Sequence, residues 1–308
     1  MVNDGKENLD VYKFDTSDKI DKKKIFLAVF ILLSAICLIL IIINVGNTIR
    51  NYHVYKKYEE QLIALNQQEA EKKAVEEARR EAERQAKLPK LTEEGKQNMT
   101  QIYHSDTKRA FLTFDDGPSA VTGQILDVLK SENVKATFFV LGSKVEHNPG
   151  LIKRMYDEGH YIANHGYSHV YSEIYSSQEA VLAEYNMCNE AVKNALGEPE
   201  YNSHLFRFPG GLAGGKYAEV KKQAEELLSQ NNIVHIDWNA LNGDAETNKL
   251  TPEFELSRLN NTVGNKNSVV ILMHDSPAKK TTADTLPQII HLLRDKGFEF
   301  KNFYEIIK

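Results

Sequence analysis

From Ile25 to Ile43 the chain reads IFLAVFILLSAICLILIII, 19 residues without a charge. In hydrocarbon such a run satisfies its backbone as a helix, and at 1.5 Å per residue it matches the apolar core of a bilayer. A buried core helix is the bland alternative and fits this length poorly. Lys13, Lys19, Lys22, Lys23 and Lys24 precede the run, whereas the nearest basic residues beyond it are Arg50, Lys56 and Lys57. The positive-inside bias therefore predicts a cytoplasmic N-terminus, with everything after residue 46 outside the cell. The run exceeds a usual signal-peptide core and no A-x-A site follows it, so an uncleaved transmembrane anchor is expected over 25–46. Residues 1–24, polar and short, are expected to form a disordered cytoplasmic tail.

Residues 51–88 are rich in Ala, Glu, Lys, Arg and Gln and free of Gly and Pro, which predicts a helix ended by Pro89. Tyr55, Tyr58, Leu62 and Leu65 keep a 3-4-3 spacing, but the pattern decays into Ala70, Ala74, Ala78, Ala82 and Ala86. That is the pattern of a solvated stalk rather than a strict coiled-coil seam, and its oligomeric state stays open. Such a stalk would span on the order of 50 Å. Residues 89 to about 104 look like a linker, so stalk and linker are expected over 47–104. The two cysteines, Cys37 in the apolar run and Cys188 far downstream, offer no internal disulfide. A net charge of −5 gives no sign of a nucleic-acid surface.

From about 105 to 308 short apolar runs alternate with amphipathic stretches: AFLTF, KATFFVLG, YIANH, LFRFP, NIVHIDW and SVVILMH, with helical segments between. Repeated strand-then-helix order predicts an α/β domain with a parallel sheet, open or closed into a barrel. In such folds sites gather at the carboxyl ends of strands. Ionisable residues fall at those places: Asp115 and Asp116 after the first strand, His165 after the third, Arg207 in the fourth, Asp237 with Trp238 after the fifth, His274 after the sixth. Successive strand side chains point to opposite faces, so Asp115 and Asp116 share one role only if the chain turns, and Gly117 with Pro118 supplies a turn. His165 and His169, four apart, would lie on one side of a helical turn within reach of one metal ion. Ten histidines in the chain also make such a pair by chance. A third ligand is needed, and Asp116 is the best-placed carboxylate.

Taken in order, TFDDGPS, HGYSH, RFPGG, IDW and LMH resemble the five motifs of the polysaccharide deacetylases of carbohydrate esterase family 4. The resemblance covers most of residues 108 to 308, about two-thirds of the chain. It implies a distorted (β/α) barrel over 105–308 that removes N-acetyl or O-acetyl groups from glycans with one divalent metal, commonly zinc, with cobalt, nickel or manganese as alternatives. Residue by residue, it implies Asp116, His165 and His169 as metal ligands, Asp115 as general base and His274 as general acid to the leaving nitrogen. Arg207 would orient Asp115, and Asp237 would support His274. Trp238 and Leu272 would wall the pocket for the acetyl methyl, with simple core packing as their even alternative.

Many relatives have tyrosine directly after the proline of the arginine motif, whereas Pro209 here is followed by Gly210 and Gly211. A backbone donor survives that change, so Gly210 N–H would still face the developing oxyanion, but an aromatic wall is lost. The expected protein is a membrane-anchored deacetylase of wall glycan, with N-acetylglucosamine of peptidoglycan first among substrates. N-acetylmuramic acid, poly-N-acetylglucosamine or an O-acetylated polysaccharide are alternatives, and a non-catalytic wall-binding protein is the alternative of another class.

Overall fold

The computed structural model describes residues 21–307, so the expected tail lies outside the described residues except for 21–24. The chain divides into two units, Met1–Arg79 and Arg80–Lys308. Helix α1 runs without interruption from Lys22 to Lys87, and none of its 66 residues is buried. It carries the one described stretch long and apolar enough to cross a membrane. Gly46 does not break it, and in the polar half spaced pairs such as Arg79 with Glu76 at 2.9 Å support the helix.

In the second unit the last turns of α1 are held by Arg84, which meets Glu198 at 2.6 Å and Glu200 at 3.1 Å. Beyond them the expected linker is part of the folded domain. Thr92 caps helix α2 (Glu93–Thr100) through Gly95 N–H. Leu88, Met99 and Ile102 are buried, the last two against Phe303, Ile306 and Ile307. Their spacing among polar neighbours follows neither period, which is why the packed boundary near residue 88 did not show in the pattern.

The first half of the domain alternates as expected: β1 (Arg109–Asp115), α3 (Ala120–Ser131), β2 (Thr137–Val140), α4 (Gly142–His147), α5 (Pro149–Asp157), β3 (Tyr161–Asn164), α6 (Tyr171–Ile174) and α7 (Gln178–Leu196). The second half continues with β4 (Leu205–Phe206), α8 (Ala218–Gln230), β5 (Val234–His235), β6 (Ala240–Leu241), α9 (Pro252–Val263), β7 (Ser268–His274), α10 (Lys280–Asp295), β8 (Glu299–Phe300) and α11 (Tyr304–Ile307). The strand order is β5-β4-β3-β2-β1-β7-β6, with β8 paired to β1, and every pair is parallel. This sheet is that of a distorted (β/α) barrel.

The pleat sorts β1 between two cores. Ala110, Leu112 and Phe114 pack under the helices with Ile125, Leu129, Ile271 and Leu286. Phe111 faces the other way, with Phe139, Tyr161, Val270 and Phe303. Asp115, in register with His274 on β7, ends the strand with the parity of Phe111, so both ionisable groups top the inner face.

Candidate active site

Just past β1 the chain turns sharply. Asp116 has φ +74°, and Gly117 packs so tightly that a Cβ there would lie 2.0 Å from Asp275 Oδ2. Lys144 on α4 secures the turn by donating to the Asp116 carbonyl at 2.6 Å. Burial pushes the Asp275 carboxyl up to about 7, and Thr122 donates to it at 2.5 Å. The turn therefore has the role expected of Gly117 and Pro118: it brings Asp116 to the same site as Asp115, both carboxylates lying within 3.9 Å of His165 Nε2.

Asp116, His165 and His169 offer ligand atoms within 4.8 Å of one another. Nε2 of His165 and His169 stand 3.6 and 3.3 Å from Asp116 Oδ1, an oxygen buried without a hydrogen-bond partner. His165 Nδ1 donates to the Arg207 carbonyl at 2.8 Å, which leaves Nε2 with its lone pair toward the group. Burial lowers the His165 pKa against the pull of Asp115 and Asp116, favouring the neutral, ligating form. Burial also pushes the Asp116 carboxyl up, but His165, His274, His169 and Lys144 outweigh it and hold its pKa below the usual value. An anionic oxygen without a partner beside two imidazoles fits one divalent cation.

The two histidines do not share a helical turn. Residues 165–170 are irregular, Gly166 sits at φ +88° and His169 at φ +59°, and the loop hangs from Glu184 of α7. Glu184 Oε2 accepts the Tyr167 and Ser168 N–H groups at 2.5 and 2.8 Å. Glu184 thus acts on the site from outside every motif, with no sequence signal beyond its amphipathic helix.

Arg207, directly after β4, is fully buried: Nη1 donates to Asp115 Oδ1 at 2.8 Å and Thr113 Oγ1 at 2.7 Å, Nε to the Ile236 carbonyl at 3.1 Å and Nη2 to the Asp237 carbonyl at 3.0 Å. Its guanidinium lies 3.9 Å over the Phe139 ring. Asp115 Oδ2 is left toward His165 Nε2, 3.9 Å away.

His274 is supported by Asp244, not by Asp237. Nδ1 donates to Asp244 Oδ1 at 2.7 Å, and the His274 N–H reaches Asp244 Oδ2 at 2.8 Å. Burial favours neutral His274, but Asp244, with Asp115 and Asp116 adding, raises its pKa to about 9. Behind Asp244, Thr282 Oγ1 lies 3.0 Å from Asp244 Oδ2 and 3.1 Å from Glu255 Oε1. Burial pushes the Glu255 carboxyl up to about 7, so its protonated form can donate to Thr282 while Thr282 donates to Asp244.

Asp237 has a different task. Its carboxylate accepts the Leu212 N–H at 3.1 Å and stands 3.8 Å from His235 Nε2. It therefore ties down the loop after Arg207, where Lys221 also donates to the Gly211 carbonyl at 2.5 Å. Gly210 on that loop is exposed at φ +74°. Trp238 packs over Gly211, where a Cβ would come within 3.1 Å of its ring. Leu272 lies two residues before His274 on β7, 9% exposed, with the parity of the inner face.

A carboxylate and an imidazole on neighbouring strand ends, beside a ligand set for one cation, form a hydrolytic arrangement on a parallel (β/α) barrel. Comparisons with known proteins agree with that class. The family model described as polysaccharide deacetylase matches residues 103–227. A peptidoglycan-N-acetylglucosamine deacetylase of Listeria monocytogenes is 37% identical over 204 residues, which is 65% of this chain and 39% of that protein. One of Bacillus cereus is 32% identical over 203 residues, 65% of this chain and 71% of the relative. A CE4 esterase of Streptococcus mutans superposes with a TM-score of 0.62 at 31% identity, covering 69% of this chain and 92% of that structure. The chain belongs to the polysaccharide deacetylase family.

Proposed function

We propose that the chain is a cation-dependent deacetylase of cell-wall glycan that acts on the N-acetylglucosamine of peptidoglycan. The observation that carries the reading is the register of Asp115 with His274: two groups suited to opposite proton transfers stand on adjacent strand ends, each with its own buried partner. The names of the Listeria and Bacillus cereus relatives support the substrate.

Asp116, His165 and His169 would hold the cation, with zinc first by the mixed imidazole and carboxylate donors and cobalt, nickel or manganese as alternatives. Once bound, it supplies a Lewis acid that polarises the acetyl carbonyl and makes water nucleophilic near neutral pH. Asp115, fixed by Arg207, takes the proton of the attacking water. Gly210 N–H is offered to the oxyanion, on a loop held by Asp237 and Lys221. His274, protonated below about pH 9, delivers its proton to the leaving nitrogen, which an amide requires because an amine anion leaves poorly. Trp238 and Leu272 wall the acetyl methyl. The transmembrane helix over 25–46 anchors the enzyme in the membrane with its catalytic domain outside.

Digesting treated peptidoglycan and locating the new free amine by mass spectrometry tests this reading. A free amine on glucosamine is expected. An amine confined to muramic acid would move the substrate assignment, and unchanged glycan with protein bound would leave a wall-binding module.

A further inference from the structure

The aromatic wall missing from position 210 is present in space. A Cβ on Gly210 would lie 2.7 Å from Tyr171 Oη and 3.4 Å from Tyr171 Cε2 and Cζ, so the phenol end of Tyr171 rests on the Gly210 backbone. On its other sides the Tyr171 ring meets His169 edge-on at 5.6 Å and Tyr175 at 5.6 Å. Tyr175 in turn donates to the Pro209 carbonyl at 2.7 Å. Tyr171 thus bridges the loop of a proposed metal ligand and the loop of the proposed oxyanion donor.

Packing alone does not account for Tyr171. Tyr175 and Tyr185 are each 2% exposed with their hydroxyls bonded, whereas Tyr171 keeps 39% of its surface open and its hydroxyl has no hydrogen-bond partner among the described residues. Val170 beside it is 42% exposed. A ring held on two sides and open on a third binds at small cost in side-chain ordering, and its apolar face with a polar tip matches a pyranose, whose C–H face is rimmed by hydroxyls.

We propose that Tyr171 contacts the sugar next to the acetylated one, its open ring face against the pyranose, and so sets a preference for polymer over single sugar. The inference rests on reading the site as a glycan deacetylase. Gly210 belongs to the same device, because any side chain there would displace the phenol.

The test uses the full chain in detergent, loaded with zinc, with Asp115→Asn to prevent turnover. Binding of N-acetylglucosamine and its tetramer is followed by the fluorescence of Trp238, the one tryptophan in the chain. Tyr171→Ala should raise the tetramer Kd at least tenfold and the monosaccharide Kd less than threefold, with zinc content unchanged. Tyr171→Phe should stay within about threefold of the parent. An unchanged tetramer Kd, a Tyr171→Phe as weak as Tyr171→Ala, loss of zinc, or no tetramer binding by the parent would each overturn the inference. Acetate release by the chain with Asp115 intact reads the reaction separately: Tyr171-dependent binding without release refutes the reaction alone, and release with a KM indifferent to Tyr171→Ala refutes the inference alone.

Discussion

Asp116 and His169 both hold left-handed backbone angles, φ +74° and +59°, which cost a residue with a side chain about 1 kcal/mol or more. On the proposed ligand assignment that strain is kept because glycine, which would relieve it, could not ligate. Asp116→Gly and His169→Gly should therefore give proteins that bind no zinc yet, in the cation-free state, match or exceed the parent in stability by up to about 1 kcal/mol. Thermal denaturation with chelator, beside metal analysis, checks this. A large loss of cation-free stability would make these side chains structural. His274 offers a second check, because its pKa is raised by Asp244 rather than by Asp237. A general acid works in its protonated form, so activity is present below its pKa and is lost as pH rises through it. Asp244→Asn should move that alkaline limb down from about pH 9, by a unit or more, whereas Asp237→Asn should leave the limb in place and lower activity by loosening the Leu212 loop. The rate against pH for both variants decides, and a limb that follows Asp237 would contradict the assignment. Asp115→Asn should keep zinc and lose roughly 10²- to 10⁴-fold in rate, measured as acetate release.

Long elements are readable in the sequence because their period repeats enough to show: β1 and β7, and helices such as α7, whose buried Val181, Tyr185, Cys188 and Val192 recur every three or four residues. With β1 and β7 in place, Asp115 and His274 followed. Strand β6 did not, since Ala240–Leu241 is two residues long and shows no alternation. Asp244, three residues after it, is hidden with it, and the IDW motif through which the resemblance implies Asp237 lies in the more visible strand region. The Asn-Gly-Asp turn after the apolar pair was the one available signal. The His165–His169 spacing led to the right pair by the wrong geometry, because glycine and left-handed backbone bring them together where a helix was inferred. Segment 88–104 carries a further expectation. Removing it strips Leu88, Met99 and Ile102 from the core, at about 1.5–3 kcal/mol for each buried side chain. A fragment of residues 80–308 should fold cooperatively, whereas 105–308 should be destabilised by about 5 kcal/mol or more, as denaturant titration would show. Equal stabilities would return 88–104 to the role of a linker.

Among the described residues, one exposed helix with an apolar run precedes one polysaccharide deacetylase domain. With the lysines before the apolar run kept inside, protease added to wall-stripped cells should release the catalytic domain by cutting within residues 47–79. Protection of the domain would reverse the orientation. In the proposed reaction Asp115 and His274 move protons beside a single cation held by Asp116, His165 and His169. Acetate released from peptidoglycan, measured while zinc is titrated into the chelated full chain, decides between this reaction and its absence. Release should be negligible without cation and should rise to saturate at one equivalent per chain. Full release from the chelated protein, or none at one equivalent, would contradict it.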